Sequence, residues 1–504
     1  MKILFVASEV NPIIKVGGIA DVVGSLSKEI KKFGQDVRIV IPFYRILRGR
    51  KFLKKALFKI QIDGKGETVE VFQTFLPRIG GRSKISVYLI KNSHYLIEKG
   101  VYLDTRKFLH LSRFLFFSKA VTEMFPAINW TPEIIHCHDW HAGAIPLFLK
   151  VNQNQIHLTG RGKLILNKED LKIKKIKTLF TIHNLLTQGY WNHSRVIEFL
   201  GLKGDEAPSL FEKSSGPYGD NFNVVQQAIL NADLINAVSP TYAKEIKTNS
   251  YYARGLDQTI KKRKKDIFGI LNGIEIKLFN PSTDKYIKKN YSLKTINLKE
   301  INKTELQKEA GLEKNLKIPL LAVISRLDVQ KGIDLIYKSA NQILKKGAQI
   351  VFLGQGDKKY EEALLKIARN YPGRMSVYIK FDAELAQRIY AGADIFLMPS
   401  RFEPCGLVQL IAMRYGTIPV VRETGGLKDT VEKAKVTKGK IVRGTGFVFK
   451  KYSSQAFLNS INQALSFYKQ PNIWRQLQKN AMKRDFSWKK SAGEYLKIYK
   501  KLLK

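Results

Sequence analysis

Cysteine is almost absent from this chain: Cys137 and Cys405 are the two among 504 residues. Two thiols exclude a disulfide framework and a four-cysteine zinc site. No apolar run is long enough to span a bilayer, and the N-terminus enters the strand-like "KILFVAS" without a signal or transit peptide. The expectation is a cytoplasmic protein with reduced thiols and no membrane partner. Short-period repeats and low-complexity tracts are also missing. Acidic residues are scarce, 43 Asp and Glu against 86 Lys and Arg, which leaves a formal charge of +43.

A field of that size attracts polyanions, and basic residues gather at 45–59, 161–177 and 261–265. Yet lysine far outnumbers arginine, and no aromatics interleave with the clusters as a base-stacking surface requires. The charge is read as a lysine-rich background, and nucleic acid is not an expected partner. A sugar nucleotide, the other acidic candidate, needs only a few of these cations.

What is present is alternation. The length predicts roughly two to four domains, and 44% hydrophobic residues supply their cores. The runs "KILFVAS", "VRIVIPF", "KISVYLI", "EIIHCHD", "TLFTIHN" and "ADLINAVS" read as strands of the first half. "FGILNG", "PLLAVISR", "AQIVFLGQG", "SVYIKF", "ADIFLMPS" and "TIPVVRET" read as strands of the second. Between the first two runs, Ile19, Val22, Val23, Leu26 and Ile30 recur at helical spacing until Gly34 stops the pattern. Near-continuous apolar strands alternating with amphipathic helices predict an α/β protein with parallel sheets covered on both faces. Two sets of strands predict two Rossmann-like domains, 1–242 and 243–480, facing each other across a cleft, with a helical segment at 481–504 that packs back on the first. Ligands in such sheets bind beyond the carboxyl ends of the strands.

Three stretches bear chemistry. In "KVGGIADVVGSL", Lys15, Gly17 and Gly18 precede a helix that carries Asp21 in its first turn. A helix N-terminus approached through glycines, with a cation beside it, suits phosphate. The spacing matches neither G-x-G-x-x-G nor the P-loop, and a tight turn explains the glycines equally simply. In "VISRLDVQKGIDL", Arg326 at a strand end and Lys331 before Gly332 read either as a diphosphate clamp or as two solvated cations. In "MPSRFEPCGLVQLIAMRYGTIPVVRETGGLKDTV", Glu403 sits in a turn with Pro404 and Gly406, and Gly425 and Gly426 open a further helix. Glu403 either contacts sugar hydroxyls and a developing oxocarbenium ion or caps a helix.

"HCHDWH" places His136 and His138 on one face of a strand, followed by Asp139 and His141, and so mimics metal ligation. No Asp-x-Asp pair exists to carry a metal-bound diphosphate, and neither a metal nor a cofactor is expected. Cys405, with no histidine in its motif, reads as packing rather than as a nucleophile.

Together these motifs, with "AVSPTYAKEI", "ILNGIE" and the final "DFSW", resemble the bacterial glycogen synthase and plant starch synthase family nearly end to end. That family comprises retaining glucosyltransferases of the GT-B class, two Rossmann-like domains with an acceptor side in the first and a donor side in the second. The resemblance implies ADP-glucose as donor and the non-reducing end of an α-1,4-glucan, glycogen or maltooligosaccharide, as acceptor. It implies that Lys15, Gly17 and Gly18 meet the donor phosphates, with Asp21 supporting the loop or contacting sugar. Arg326 and Lys331 would neutralise the leaving diphosphate, and Glu403 would lie by the donor sugar. His183 and Asn184 of "TIHN" would border the transferred glucose, and Asp139 the acceptor. Thr424, Gly425 and Gly426 would give backbone N–H groups to phosphate. Retention would come from front-face attack, with the departing phosphate accepting the acceptor's proton.

The chain also departs from the family. Gln226, Gln227 and Ala228 stand where Lys, Gly or Ala, and Gly are usual; Ala253 and Gln258 replace glycines; Glu275 replaces Asp; and a Lys-rich segment, 151–177, is an apparent insertion. The phosphate motifs are untouched, so the departures bear on the acceptor side. Two other readings remain: a related transferase with another acceptor or donor base, and a glucan- or polyanion-binding protein that has lost catalysis. The intact set of Lys15, Arg326, Lys331 and Glu403 counts against the second.

Overall fold

The computed structural model describes residues 1–79, 83–96, 100–102, 107–159, 173, 175–201, 221–437 and 440–504. The chain forms two compact units, one of Met1–Val238, Ala243–Ile270 and Ser491–Lys504, the other of Ser239–Tyr242 and Leu271–Lys490.

The first unit is built on a sheet that has nine strands among the described residues. In chain order they are β1 (Lys2–Val6), β2 (Asp36–Pro42), β3 (Leu53–Ile62), β4 (Lys65–Ile79), β5 (Ser83–Lys91), β6 (Ile134–His138), β7 (Lys177–Ile182), β8 (Leu234–Ala237) and β9 (Ile267–Gly269). Their spatial order is β9-β8-β7-β6-β1-β2-β5-β4-β3. Pairing is parallel from β9 to β5 and antiparallel in β5-β4 and β4-β3. Strands β1 and β6, "KILFV" and "IIHCH", are buried along nearly their whole length, as strands covered on both faces must be. The helix Gly18–Lys32 buries Ala20, Val22, Val23, Leu26 and Ile30, with Asp21 in its first turn and Lys31 and Lys32 in its last, charges that complement the helix dipole.

The second unit holds a six-stranded, all-parallel sheet: β10 (Leu320–Ile324), β11 (Gln349–Leu353), β12 (Met375–Tyr378), β13 (Ile395–Met398), β14 (Ile418–Arg422) and β15 (Phe447–Phe449). Their order is β12-β11-β10-β13-β14-β15.

Three placements refine the sequence pattern. The basic stretch 45–59 runs into the hairpin β3-β4; Ile60, Ile62, Val69 and Val71 are buried in that hairpin, while Lys54, Lys55 and Lys59 face water. "FGILNG", grouped with the second half, contributes β9, which pairs in parallel with β8. The helices between β8 and β9 return the chain to the same sheet, a crossover that apolar patterning cannot distinguish from a step into a new one. Finally, the C-terminal segment packs on the first unit as expected, but from Ser491 rather than from 481: Tyr499 Oη lies 2.8 Å from His136 Nδ1 and Asn236 Nδ2 donates to Tyr495 Oη at 2.9 Å. Of the Lys-rich segment 151–177, residues 160–172 and 174 lie outside the described part of the chain. No helix among the described residues is long and apolar enough to cross a membrane.

Candidate functional site

Strand order locates the candidate sites before any side chain is considered. In the first sheet the chain runs from β1 outward to β2 and later to β6 on β1's other flank, so the order reverses between β1 and β6. In the second it reverses between β10 and β13. Crevices at such switch points, beyond the carboxyl ends of the strands, are where ligands bind in open α/β sheets. The glycine loop follows β1, and Asp139 follows β6. Arg326 follows β10, and Glu403 follows β13.

At the first switch point Lys15 Nζ lies 2.7 Å from Asp21 Oδ2, and Asn11 Nδ2 donates to Asp21 Oδ1 at 2.9 Å. Asp21 therefore holds the loop's cation and its proximal arm together. Two of the loop's amides, those of Val16 and Gly17, turn inward to a carboxylate. Val16 N–H donates to Glu9 Oε2 at 2.5 Å, and Gly17 N–H lies 3.0 Å from both Glu9 oxygens. Glu9 is fully buried and also accepts from Tyr102 Oη at 2.8 Å. Gly18 is open: a Cβ built on it meets nothing within 4 Å.

Beside the loop, the ends of β6 and β7 bring His138 Nδ1 within 3.0 Å of His183 Nε2. Burial depresses both imidazoles, His183 to about 3, so both stay neutral at physiological pH and one donates to the other. His136 spends both ring nitrogens on Tyr499 Oη (2.8 Å) and Thr181 Oγ1 (2.7 Å), which removes it from any ligand set. Asp139 stands at φ 60, ψ −178, a backbone conformation that costs a non-glycine residue on the order of 1–3 kcal/mol and collects at functional sites. Its carboxyl is pushed up to about 8 by burial, the Trp140 amide opposing, and Oδ1 lacks a partner among the described residues. Asn184 accepts from Leu186 N–H at 3.0 Å and shapes the turn after His183.

At the second switch point two residues that the sequence treats as separate contacts meet directly. Lys331 Nζ lies 2.7 Å from Glu403 Oε2, which also accepts from Ser400 Oγ at 3.1 Å. Glu403 is buried, and its carboxylate is engaged by these two side chains rather than by the N–H groups of a helix start, against the capping alternative. Asp328 organises the neighbouring turn: it accepts from Lys331 N–H at 3.1 Å and pairs with Arg326 at 3.2 Å. Arg326 also approaches Gln330 Oε1 at 3.5 Å, and its side chain is 66% exposed. Gly332, at φ +71, lets this turn close on β13's loop, since a Cβ there would lie 2.2 Å from Pro399 O.

In the Thr424–Gly426 turn, the amides of Thr424 and Gly426 have partners within the chain. The resemblance assigns its N–H groups to phosphate, but Thr424 N–H donates to Arg422 O at 2.9 Å, and Gly426 N–H to Glu403 O and Pro404 O at 3.1 and 3.2 Å. The two glycines serve close approach: Cβ atoms on Gly425 and Gly426 would lie 1.9 Å from Glu403 O and 2.1 Å from Cys405 O. The turn therefore supports the backbone under Glu403. Cys405 is buried and its thiol is pushed up to about 12 by burial, in keeping with packing.

Four of the departures from the family pattern point inward. Gln226, Gln227, Ala228 and Ala253 are all buried. Asn223 caps the helix Val224–Asn231 by accepting from Gln226 N–H. Gln258 is exposed. Sequence reasoning missed Glu9, Tyr102, Asp328 and Ser400; a lone polar residue beside a strand or turn carries no pattern.

Residues 2–262 match the starch synthase catalytic domain family and residues 304–484 the group 1 glycosyl transferases. The chain is 41% identical over 512 residues to a glycogen synthase of Thermotoga maritima, covering 100% of this chain and 99% of that one. It is 38% identical over 508 residues to a glycogen synthase of Geobacillus thermodenitrificans, covering 100% and 98%. Among solved structures it is similar to the catalytic domain of starch synthase IV from Arabidopsis thaliana bound to ADP and acarbose, with TM-score 0.86, 30% identity and coverage of 100% and 99%.

Proposed function

The chain belongs to the glycogen synthase and starch synthase family of GT-B hexosyltransferases, and we propose that it transfers glucose from ADP-glucose to the non-reducing end of an α-1,4-glucan with retention of configuration. The observation that carries the site assignment is the Lys331–Glu403 pair at the switch point of the second sheet. A diphosphate leaving group gains negative charge toward the transition state while the sugar gains positive charge, so a cation and a carboxylate fixed side by side can serve both ends of the breaking bond. Lys331 and Arg326 take the diphosphate; Glu403 takes the sugar side.

In the first unit, Lys15 is the cation offered to phosphate, and Asp21 keeps it in place until then. Gly17 and Gly18 let the loop pass close to the donor. His183 and Asn184 border the transferred glucose, and neutral His183 gives or accepts a hydrogen bond without repelling a developing positive charge. Asp139 faces the acceptor side. Thr424, Gly425 and Gly426 support Glu403 from beneath. The departing phosphate takes the acceptor hydroxyl's proton as that hydroxyl attacks the face the diphosphate leaves. Charge neutralisation by side chains makes the transfer independent of a divalent metal. The reading includes a cytoplasmic location and no nucleic-acid partner.

Incubating the protein with glycogen and radiolabelled ADP-glucose or UDP-glucose tests the donor. Label should enter precipitable polymer from ADP-glucose at the higher kcat/KM. A preference for UDP-glucose would overturn the donor assignment, and no incorporation from either would overturn the activity.

A further inference from the structure

A helix N-terminus preceded by glycines is an anion seat, and here the two amides that lead into it, those of Val16 and Gly17, are already taken. Glu9, three residues beyond β1 and fully buried, receives Val16 N–H at 2.5 Å, Gly17 N–H at 3.0 Å and Tyr102 Oη–H at 2.8 Å. Tyr102 Oη also lies 3.4 Å from Ser8 Oγ. A Cβ on Gly17 would stand 3.1 Å from Glu9 Oε1, so a side chain at 17 would press on the carboxylate. A phosphate could take these amides only by stripping a buried carboxylate of its donors, which is costly. Lys15 is in the opposite situation: its side chain is 42% exposed and its ion pair with Asp21 is itself partly exposed, an interaction that is cheap to exchange.

We propose that Glu9 is the positioning residue of the donor loop: it locks the backbone at Val16 and Gly17 so that Lys15 alone moves, trading Asp21 for the donor's diphosphate, and the amides of Val16 and Gly17 never touch the donor. The inference rests on the glucosyltransferase reading. A carboxylate is suited to the task because it accepts from three donors at once, whereas an amide offers one acceptor oxygen and turns its NH2 toward the remaining N–H groups.

The test is Glu9→Gln, with Glu9→Asp and Tyr102→Phe beside it. In Glu9→Gln the donor KM should rise about tenfold, the amount expected when a charge-assisted bond that orders the loop is lost, while kcat at saturating donor stays within about twofold. Hydrogen exchange of the peptide spanning residues 10–20 should speed up by a similar factor, with the rest of the helix Gly18–Lys32 unchanged. Glu9→Asp should recover part of the loss, and Tyr102→Phe should show a smaller KM increase. A donor KM unchanged in Glu9→Gln, whatever happens to its melting temperature, overturns the proposal. So does a lowered KM, which would make Glu9 a competitor of the donor. If Glu9→Gln does not fold, Tyr102→Phe decides, with unchanged KM and unchanged exchange counting against. If the wild-type chain transfers no glucose, that sinks the activity and not this inference, which is then decided by ADP titration: affinity equal in wild type and Glu9→Gln overturns it.

Discussion

Lys331 Nζ and Glu403 Oε2, 2.7 Å apart, tie the loop after β10 to the loop after β13 with side chains 18% and 6% exposed. Removing one partner of so enclosed a pair leaves the other uncompensated, at a cost of about 3 kcal/mol, the low end for buried pairs because Lys331 keeps some solvent. Lys331→Ala should therefore lose stability as well as turnover, the latter on the order of 10²-fold. Glu403→Gln, which retains the shape and the bond from Ser400, should lose turnover with a smaller change in melting temperature. The double variant should recover stability without recovering activity. A double variant as unstable as Lys331→Ala, measured by thermal unfolding, would show that the pair does not set stability.

Arg326 separates catalysis from stability more cleanly. Its pairing with Asp328 is at the surface, and exposed pairs contribute little. Arg326→Ala should leave the melting temperature unchanged and lower kcat on the order of 10²-fold. Steady-state kinetics with the donor varied checks this. Unchanged kcat together with a raised donor KM would make Arg326 a ground-state contact.

Acid should unfold the first unit early. His183 is held down to about 3, and His136, His138 and His141 are lowered too, all chiefly by burial. Between about 3 and the unfolded value of 6.5, the unfolded chain binds protons that the folded chain refuses, so stability rises with pH there and is lost as pH falls. Asp139, raised to about 8 from 3.8, has the opposite sign: the folded chain holds a proton the unfolded chain has released, and stability from this group falls as pH rises through that window. Asp139→Asn should therefore stabilise the protein more at pH 8 than at pH 5. Equal effects at both, by thermal unfolding, would place the cost of Asp139 in its backbone.

Ala228 has no exposed surface and sits against Gly143, whose built Cβ would lie 3.3 Å from the Ala228 methyl. Ala228→Gly removes a buried methyl and puts glycine inside a helix, each worth about 1 kcal/mol. Stability should drop by the sum, with the rates on glycogen and short maltooligosaccharides keeping their ratio. A changed ratio would mean that the position reaches the acceptor through its helix.

Much of this architecture is legible in the sequence because strands buried on both faces leave near-continuous apolar runs, as β1, β6, β11 and β13 do. The hairpin β3-β4 is hidden because its exposed face is lysine-rich and its buried positions, such as Ile60 and Ile62, are few. Crossovers carry no mark of the sheet they return to, hence the misplacement of β9. Within the sites, the cations and Glu403 are legible from residue type and position. The Lys331–Glu403 pairing across 72 residues is not, nor is Glu9's hold on the loop, since both depend on how distant turns meet. The Thr424–Gly426 motif resembles a phosphate site because glycine before a helix serves close approach to backbone and to anion alike.

The central claim is metal-independent, retaining glucosyl transfer driven by the Lys331–Glu403 site. Extension of a maltooligosaccharide with ADP-glucose in excess EDTA, followed by proton NMR of the anomeric region, tests it most directly. New α-1,4 signals should grow at the same rate with and without chelator and should nearly vanish in Lys331→Ala. A β-anomeric product, or activity lost to EDTA and restored by magnesium, would contradict it.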